Sequence, residues 1–110
     1  MARRSNIRMD AGALDAQIRS TVADNKIVVY SKSYCPFCMQ TKSLFDKIGV
    51  EYKVVELDEV DNGAAIQEAL LGITQQRTVP NVFVGGEHVG GNDDTQRAAA
   101  SGKLQELLAK

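Results

Sequence analysis

The spacing of hydrophobic residues changes several times along the chain, and each change marks an element. From Asp10 to Asn25, Leu14, Ile18 and Val22 recur at i, i+4 and i+8, one stripe of a helix. Asp10 is a natural N-cap for it, and Asp24-Asn25 a natural stop. Residues 26–31, K-I-V-V-Y-S, are a short β-branched run bounded by turn formers, the mark of a strand buried on both faces. Helical spacing returns from Pro36 to Ile48 and ends at Gly49, suited to the left-handed residue that closes a helix. Val50 to Leu57 alternates in part and predicts a strand. Asn62 to Ile73 predicts a third helix, with Ile66, Leu70 and Ile73 on one face. N-V-F-V at 81–84, Gly85-Gly86 and then E-H-V predict a β-hairpin, because two glycines accept the positive φ of a primed turn. Asn92 or Asp93 offers an N-cap for a helix over 93–100. Ser101-Gly102 interrupts it, and K-L-Q-E-L-L-A-K closes the chain as a short amphipathic helix.

The order is α β α β α β β α α. The first strand–helix–strand unit requires a parallel pair joined by a right-handed crossover. The glycine hairpin requires an antiparallel pair. The fold class is therefore α/β, a four-stranded mixed sheet flanked by helices on both faces. Phe45, Phe83 and Ile66 belong to its core, and His88 is expected to lie exposed on the hairpin. Residues 1–9 fall outside this pattern, with three arginines, no acid and no apolar stretch of a secretory signal. They read as a flexible, solvated N-terminal arm, with the remnant of a transit sequence as the alternative. Residues 10–110 then make one domain.

Composition narrows the function classes. A chain of 110 residues and 11.9 kDa holds one ordinary domain. With 44% hydrophobic and 25% charged residues it is no disordered chain. Thirteen basic against 14 acidic residues leave a net charge of -1, which argues against nucleic acid as a partner. No apolar run approaches the roughly 18 residues of a membrane span, so no membrane partner is expected. Two cysteines and one histidine neither complete a four-ligand zinc site nor make a disulfide-dense secreted scaffold.

The chemistry concentrates at Cys35-Pro36-Phe37-Cys38, directly after a predicted strand and at the start of a predicted helix. Pro36 fits the first helical turn, where its missing N–H needs no partner. Cys35 then stands at the N-cap and Cys38 one turn on, close enough to form and break a disulfide. Free backbone N–H groups, the helix dipole and Lys32 all favour a thiolate at Cys35. Cys35 is the expected nucleophile and Cys38 the less exposed resolving thiol. Tyr34 and Phe37 are candidates for the wall of the site.

With C-P-F-C at 35–38, T-V-P at 78–80 and G-G-N-D-D-T at 90–95, the chain resembles a dithiol glutaredoxin over about residues 12–109. The resemblance implies a thioredoxin-like fold and a glutathione-dependent thiol–disulfide oxidoreductase. Its substrates would be protein disulfides and mixed disulfides between proteins and glutathione. By position, Cys35 would become glutathionylated, and Cys38 would resolve intramolecular disulfides. Lys32 and Gln67 would contact the glycine carboxylate of glutathione, assisted by Arg77 next to Thr78. Val79 would pair its backbone with the cysteinyl part as an added strand does, beside a cis Pro80. Asp93 and Asp94 would hold the γ-glutamyl end, with Gly90 and Gly91 allowing close approach. Glutathione enters as co-substrate, and no tightly bound cofactor is expected. Phe37 stands where the family more often has tyrosine.

Three other readings compete. A thioredoxin-type reductant would have tryptophan before the pair and Gly-Pro within it, and this chain has neither. A [2Fe–2S] carrier would bridge two subunits through Cys35, and Pro36 weighs against it by stiffening the adjacent loop. A bare interaction scaffold leaves the cysteine pair unexplained. A monomer is the default. A catalytic C-x-x-C without a leader suits a reducing cytosol, or an organelle if a presequence has been removed.

Overall fold

The computed structural model describes residues 11–110. The expected N-terminal arm and the Asp10 cap lie outside the described residues. Nine elements follow in the expected order: α1 (Ala11–Asp24), β1 (Ile27–Ser31), α2 (Pro36–Ile48), β2 (Lys53–Glu56), α3 (Gly63–Thr74), β3 (Asn81–Val84), β4 (Glu87–Gly90), α4 (Asn92–Ser101) and α5 (Lys103–Leu108). The four strands form one mixed sheet in the order β2-β1-β3-β4. β1 runs parallel to β2, with Val28 opposite Lys53 and Ser31 opposite Glu56. It runs antiparallel to β3, with Ile27 opposite Val84 and Tyr30 opposite Asn81.

β1 is central and buried along its whole length. Its side chains alternate between two cores, which explains why the segment carries no polar alternation. Val28 and Tyr30 face a core built with Leu14, Ile18, Ile66, Leu70 and Phe83, under α1 and α3. Ile27 and Val29 face a second core with Phe45, Val82, Val84, Leu104 and Leu107, under α2, α4 and α5. Edge-to-face packing of Tyr30 on Phe83, with ring centroids 6.1 Å apart, ties β1 to β3 on the first face.

Several boundaries differ from the sequence pattern. The second strand covers 53–56 rather than 50–57. Gly49 takes φ +84 and its N–H returns to Phe45 and Asp46, as a helix-closing glycine should. Val50 N–H also returns to the Phe45 carbonyl at 3.3 Å, so the chain is still finishing α2 where alternation suggested a strand. Asn62 precedes α3 without a side-chain cap bond. The hairpin forms as expected, with Gly85 and Gly86 at φ +60 and +85.

Phe45 is fully buried and joins α2 to the sheet and to Tyr52, whose ring centroid is 5.6 Å away. Phe45→Ala should lower the unfolding free energy by about 3–5 kcal/mol. Urea unfolding followed by circular dichroism checks this, and a loss below about 1 kcal/mol would place the main packing of α2 elsewhere.

Candidate functional site

The site grows from the junction of β1 and α2. β1 delivers the chain at buried Ser31, and a tight turn follows in which Cys35 N–H donates to the Lys32 carbonyl at 3.0 Å. Pro36 opens α2, and Cys35 sits at the N-cap in extended conformation. Its Sγ accepts the Cys38 N–H at 3.4 Å, so the sulfur does what a serine or aspartate oxygen does at other helix starts. Cys35 is partly exposed and Cys38 is fully buried. Burial pushes the Cys38 thiol above its ordinary value and the neighbouring Cys35 adds to this, while the Lys32 backbone and the Ser31 hydroxyl pull the other way.

The facing wall is the segment between α3 and β3. The Val79–Pro80 bond is cis, as the resemblance implied. The Val79 carbonyl lies 3.9 Å from Cys35 Sγ. Gln76 organises this wall: its Nε2 donates to the Thr78 carbonyl at 3.0 Å and the Pro80 carbonyl at 2.9 Å. Its own N–H donates to Thr74 Oγ1, which also receives the Asn81 amide. A groove of about 540 Å³ runs from Thr78, Val79 and Pro80 on one side to Gly91, Asp93 and Asp94 on the other, with Phe37 at its edge.

The third part is the start of α4. Gly91 holds the N-cap position, not Asn92 or Asp93 as the sequence suggested. Asp94 Oδ2 accepts the Gly91 N–H at 3.2 Å, and its Oδ1 pairs with Arg97 at 2.6 Å. Gly90, at φ +128, is needed here because a Cβ would run into the Asp94 carboxylate. Asn92 turns inward instead of capping. It is buried, accepts from Thr41 Oγ1 at 2.9 Å and donates to Gln40 Oε1 at 2.9 Å. The start of α4 is thereby bonded to the second turn of α2. Asp93 remains exposed, with no hydrogen bond or ion pair among the described residues.

Of the remaining sequence candidates, Phe37 lines this groove, and Lys32, Tyr34, Gln67 and Arg77 do not. Gln67 Nε2 donates to the Arg77 carbonyl at 2.8 Å, and Arg77 reaches Glu68 at 3.5 Å. Lys32 is half-buried at the start of the cysteine turn and adds a small attraction to the Asp58 carboxylate, which Ser33 holds. Tyr34 is 67% exposed and stands outside the groove lining, whereas Phe37, 57% exposed, borders it. His88 is exposed as expected, but Nε2 lies 2.8 Å from Asn81 Oδ1 and its ring packs on Phe83. Burial lowers its pKa, while Asp94 pulls the other way. Among the described residues no three His, Cys, Asp or Glu side chains converge as a metal set.

Sequence reasoning missed Gln76, Thr41 and Asp58, and saw Asn92 only as a cap. Thr41 carried a signal, because Cys38, Thr41 and Phe45 form the buried stripe of α2. Nothing local distinguishes Gln76 or Asp58 from surface polar residues.

The raised Cys38 thiol has a consequence for stability. Above its ordinary value of 9.0 the unfolded chain loses this proton while the folded chain keeps it. Stability therefore falls as pH rises through that window, with no contribution below it. Urea unfolding of the reduced protein across this window should show a shallower decline for Cys38→Ala than for wild type. Equal slopes would mean that burial does not hold the Cys38 proton.

A glutaredoxin family model matches residues 27–89. The chain is 50% identical over 95 residues to Glutaredoxin-C6 of Oryza sativa subsp. japonica, covering 86% of this chain and 85% of that protein. It is 50% identical over 92 residues to a glutaredoxin of Ricinus communis, covering 84% of this chain and 90% of that one. Among solved structures, a buckwheat glutaredoxin–glutathione complex superposes with a TM-score of 0.86 at 44% identity, over 90% of each chain. The holo form of glutaredoxin C1 from Populus tremula x tremuloides superposes with a TM-score of 0.85 at 38% identity, over 90% of this chain and 89% of that one. The sheet order, the cysteine pair at a helix start and these similarities agree: the chain belongs to the glutaredoxin family and is a thiol–disulfide oxidoreductase of thioredoxin-like fold.

Proposed function

We propose that this protein reduces mixed disulfides between proteins and glutathione, and also protein disulfides, with glutathione as the electron donor. The observation that carries this reading is the contrast within the cysteine pair. Cys35 is accessible at a helix start beside the groove, and Cys38 is buried one turn behind it. Cys35 attacks the glutathione sulfur of a mixed disulfide, forms a Cys35–glutathione disulfide and releases the protein thiol. A second glutathione then attacks that intermediate, leaving as glutathione disulfide and restoring the Cys35 thiol. When the substrate is a protein disulfide, Cys38 attacks the mixed disulfide at Cys35, and the pair is left oxidised. Two glutathione molecules reduce it again. The raised pKa of Cys38 suits this order, because it stays a thiol until Cys35 has reacted.

The groove fits an extended tripeptide carrying charges at both ends. The Val79 backbone, beside Cys35 Sγ, is suited to pair with the central residue. Gln67, Arg77 and Lys32 would meet the glycine carboxylate of glutathione, and Thr78 and Pro80 line the groove. At the other end, Gly91 and the α4 start present N–H groups to the γ-glutamyl carboxylate. Asp93 is the free carboxylate for its ammonium, while Asp94 is engaged by Gly91 and Arg97 and acts by building that helix start. The buckwheat relative solved with glutathione supports this choice of ligand. A catalytic dithiol of this kind suits a reducing compartment such as the cytosol. The protein acts as a monomer on this reading.

Turnover of a glutathionylated peptide with glutathione as sole reductant tests the reading. Wild type and Cys38→Ser should both turn over, and Cys35→Ser should lose at least about 100-fold. Reduction of an intramolecular protein disulfide should require both cysteines. Inactive wild type with reduced thiols would remove glutathione from the account. The two aspartates should separate: Asp93→Asn raises the KM for glutathione about threefold or more at unchanged stability. Asp94→Ala also lowers stability by about 1 kcal/mol through the lost cap. Identical behaviour of the two variants would contradict their division of roles.

A further inference from the structure

Beyond the groove, one acidic side chain is fastened to the cysteine turn without lining the site. Asp58 Oδ1 accepts the Ser33 N–H at 2.9 Å, and its Oδ2 accepts the Ser33 hydroxyl. These bonds continue the β1–β2 pairing beyond its last register pair, Ser31 with Glu56. Leu57 N–H donates to the Ser31 carbonyl at 2.8 Å, and Asp58 then takes Ser33 two residues further on. Ser33 lies inside the turn closed by Cys35 N–H on the Lys32 carbonyl. Asp58 is therefore fastened by Ser33 to the backbone turn that carries Cys35, whose Sγ in turn accepts the Cys38 N–H.

We propose that Asp58 is a positioning residue for the cysteine turn, gripping Ser33 with both oxygens and so fixing a negative charge beside that turn. The grip and the charge are separate effects. Two anchors on Ser33 restrict the turn between β1 and α2, and so the place at which Cys35 meets the groove. The Ser33 bonds hold the Asp58 carboxyl below the usual carboxylate range, so it is anionic wherever the enzyme works, and Lys32 contributes to the same effect. That charge, held two residues from Cys35, repels an approaching anion. The consequence for glutathione, itself an anion, rests on the proposed function.

Two substitutions separate the effects, and the exposure of Asp58 makes both compatible with folding. Asp58→Asn keeps an oxygen for the Ser33 N–H and places an amide against the hydroxyl, but removes the charge. Asp58→Ala removes both. With glutathionylated peptide, Asp58→Asn should lower the KM for glutathione about two- to threefold with kcat retained, the size expected of one partly screened charge. Asp58→Ala should lose kcat about five- to tenfold. Two measurements need no glutathione. The ratio of Cys35 alkylation rates with anionic iodoacetate and neutral iodoacetamide should rise about two- to threefold in both variants. Hydrogen exchange at the Ser33 amide should accelerate in Asp58→Ala and stay slow in Asp58→Asn. An unchanged alkylation ratio overturns the charge effect. Unchanged Ser33 exchange in Asp58→Ala, or an unchanged kcat there, overturns the grip. Wild type that ignores glutathione, with the variants still showing the alkylation and exchange changes, would sink the proposed substrate and leave the Asp58 role standing.

Discussion

Everything at the site depends on where β1 stops and α2 starts. β1 is held on both sides by the sheet and on both faces by a core, so its end at Ser31 has little freedom. The Lys32–Cys35 turn is closed by a backbone hydrogen bond, and Pro36 opens the helix without needing a partner for its nitrogen. The sulfur of Cys35 therefore becomes the acceptor that completes the helix start. One covalent spacing, C-x-x-C, then divides the thiols physically: the first faces solvent at the positive end of a helix, and the second enters the core. That division suits the proposed chemistry, in which the partly exposed sulfur meets substrate and the buried one waits for it.

The rest of the fold serves to place two further pieces against that junction. α4 begins beside α2 because Asn92 binds both Thr41 and Gln40 there, a polar fastening that Gln96 extends to the Gln40 carbonyl. The 76–80 segment is shaped by Gln76, which satisfies two carbonyls that a strand would have paired. Neither fastening touches the reacting sulfur. Both decide the width of the groove in front of it, and Asp58 does the same for the turn behind it.

The general architecture was legible in the amino-acid pattern because its cues are local and periodic. The all-apolar β1, the stripe Leu14-Ile18-Val22 and the double-glycine hairpin each state their own geometry. The cysteine helix start was legible for the same reason. Boundaries drifted where two local rules competed. Val50 alternates like a strand residue but is recruited to close α2, and Asn92 has the chemistry of a cap but finds better partners in Thr41 and Gln40. The supporting residues were hidden because their partners lie far off in sequence. Nothing near Asp58 points to Ser33, and nothing near Asn92 points to Thr41. The sequence offers Asp93 and Asp94 alike, and their difference in partners comes from the commitment of Asp94 to Gly91 and Arg97.

The central claim is that helix geometry makes Cys35 the reacting sulfur and keeps Cys38 in reserve. The most direct measurement is to quench wild-type protein in acid during turnover of a glutathionylated peptide, digest it, and locate the bound glutathione by mass spectrometry. The account predicts glutathione on the peptide sulfur of Cys35 and none on Cys38. Glutathione on Cys38, or shared between the two, would contradict it.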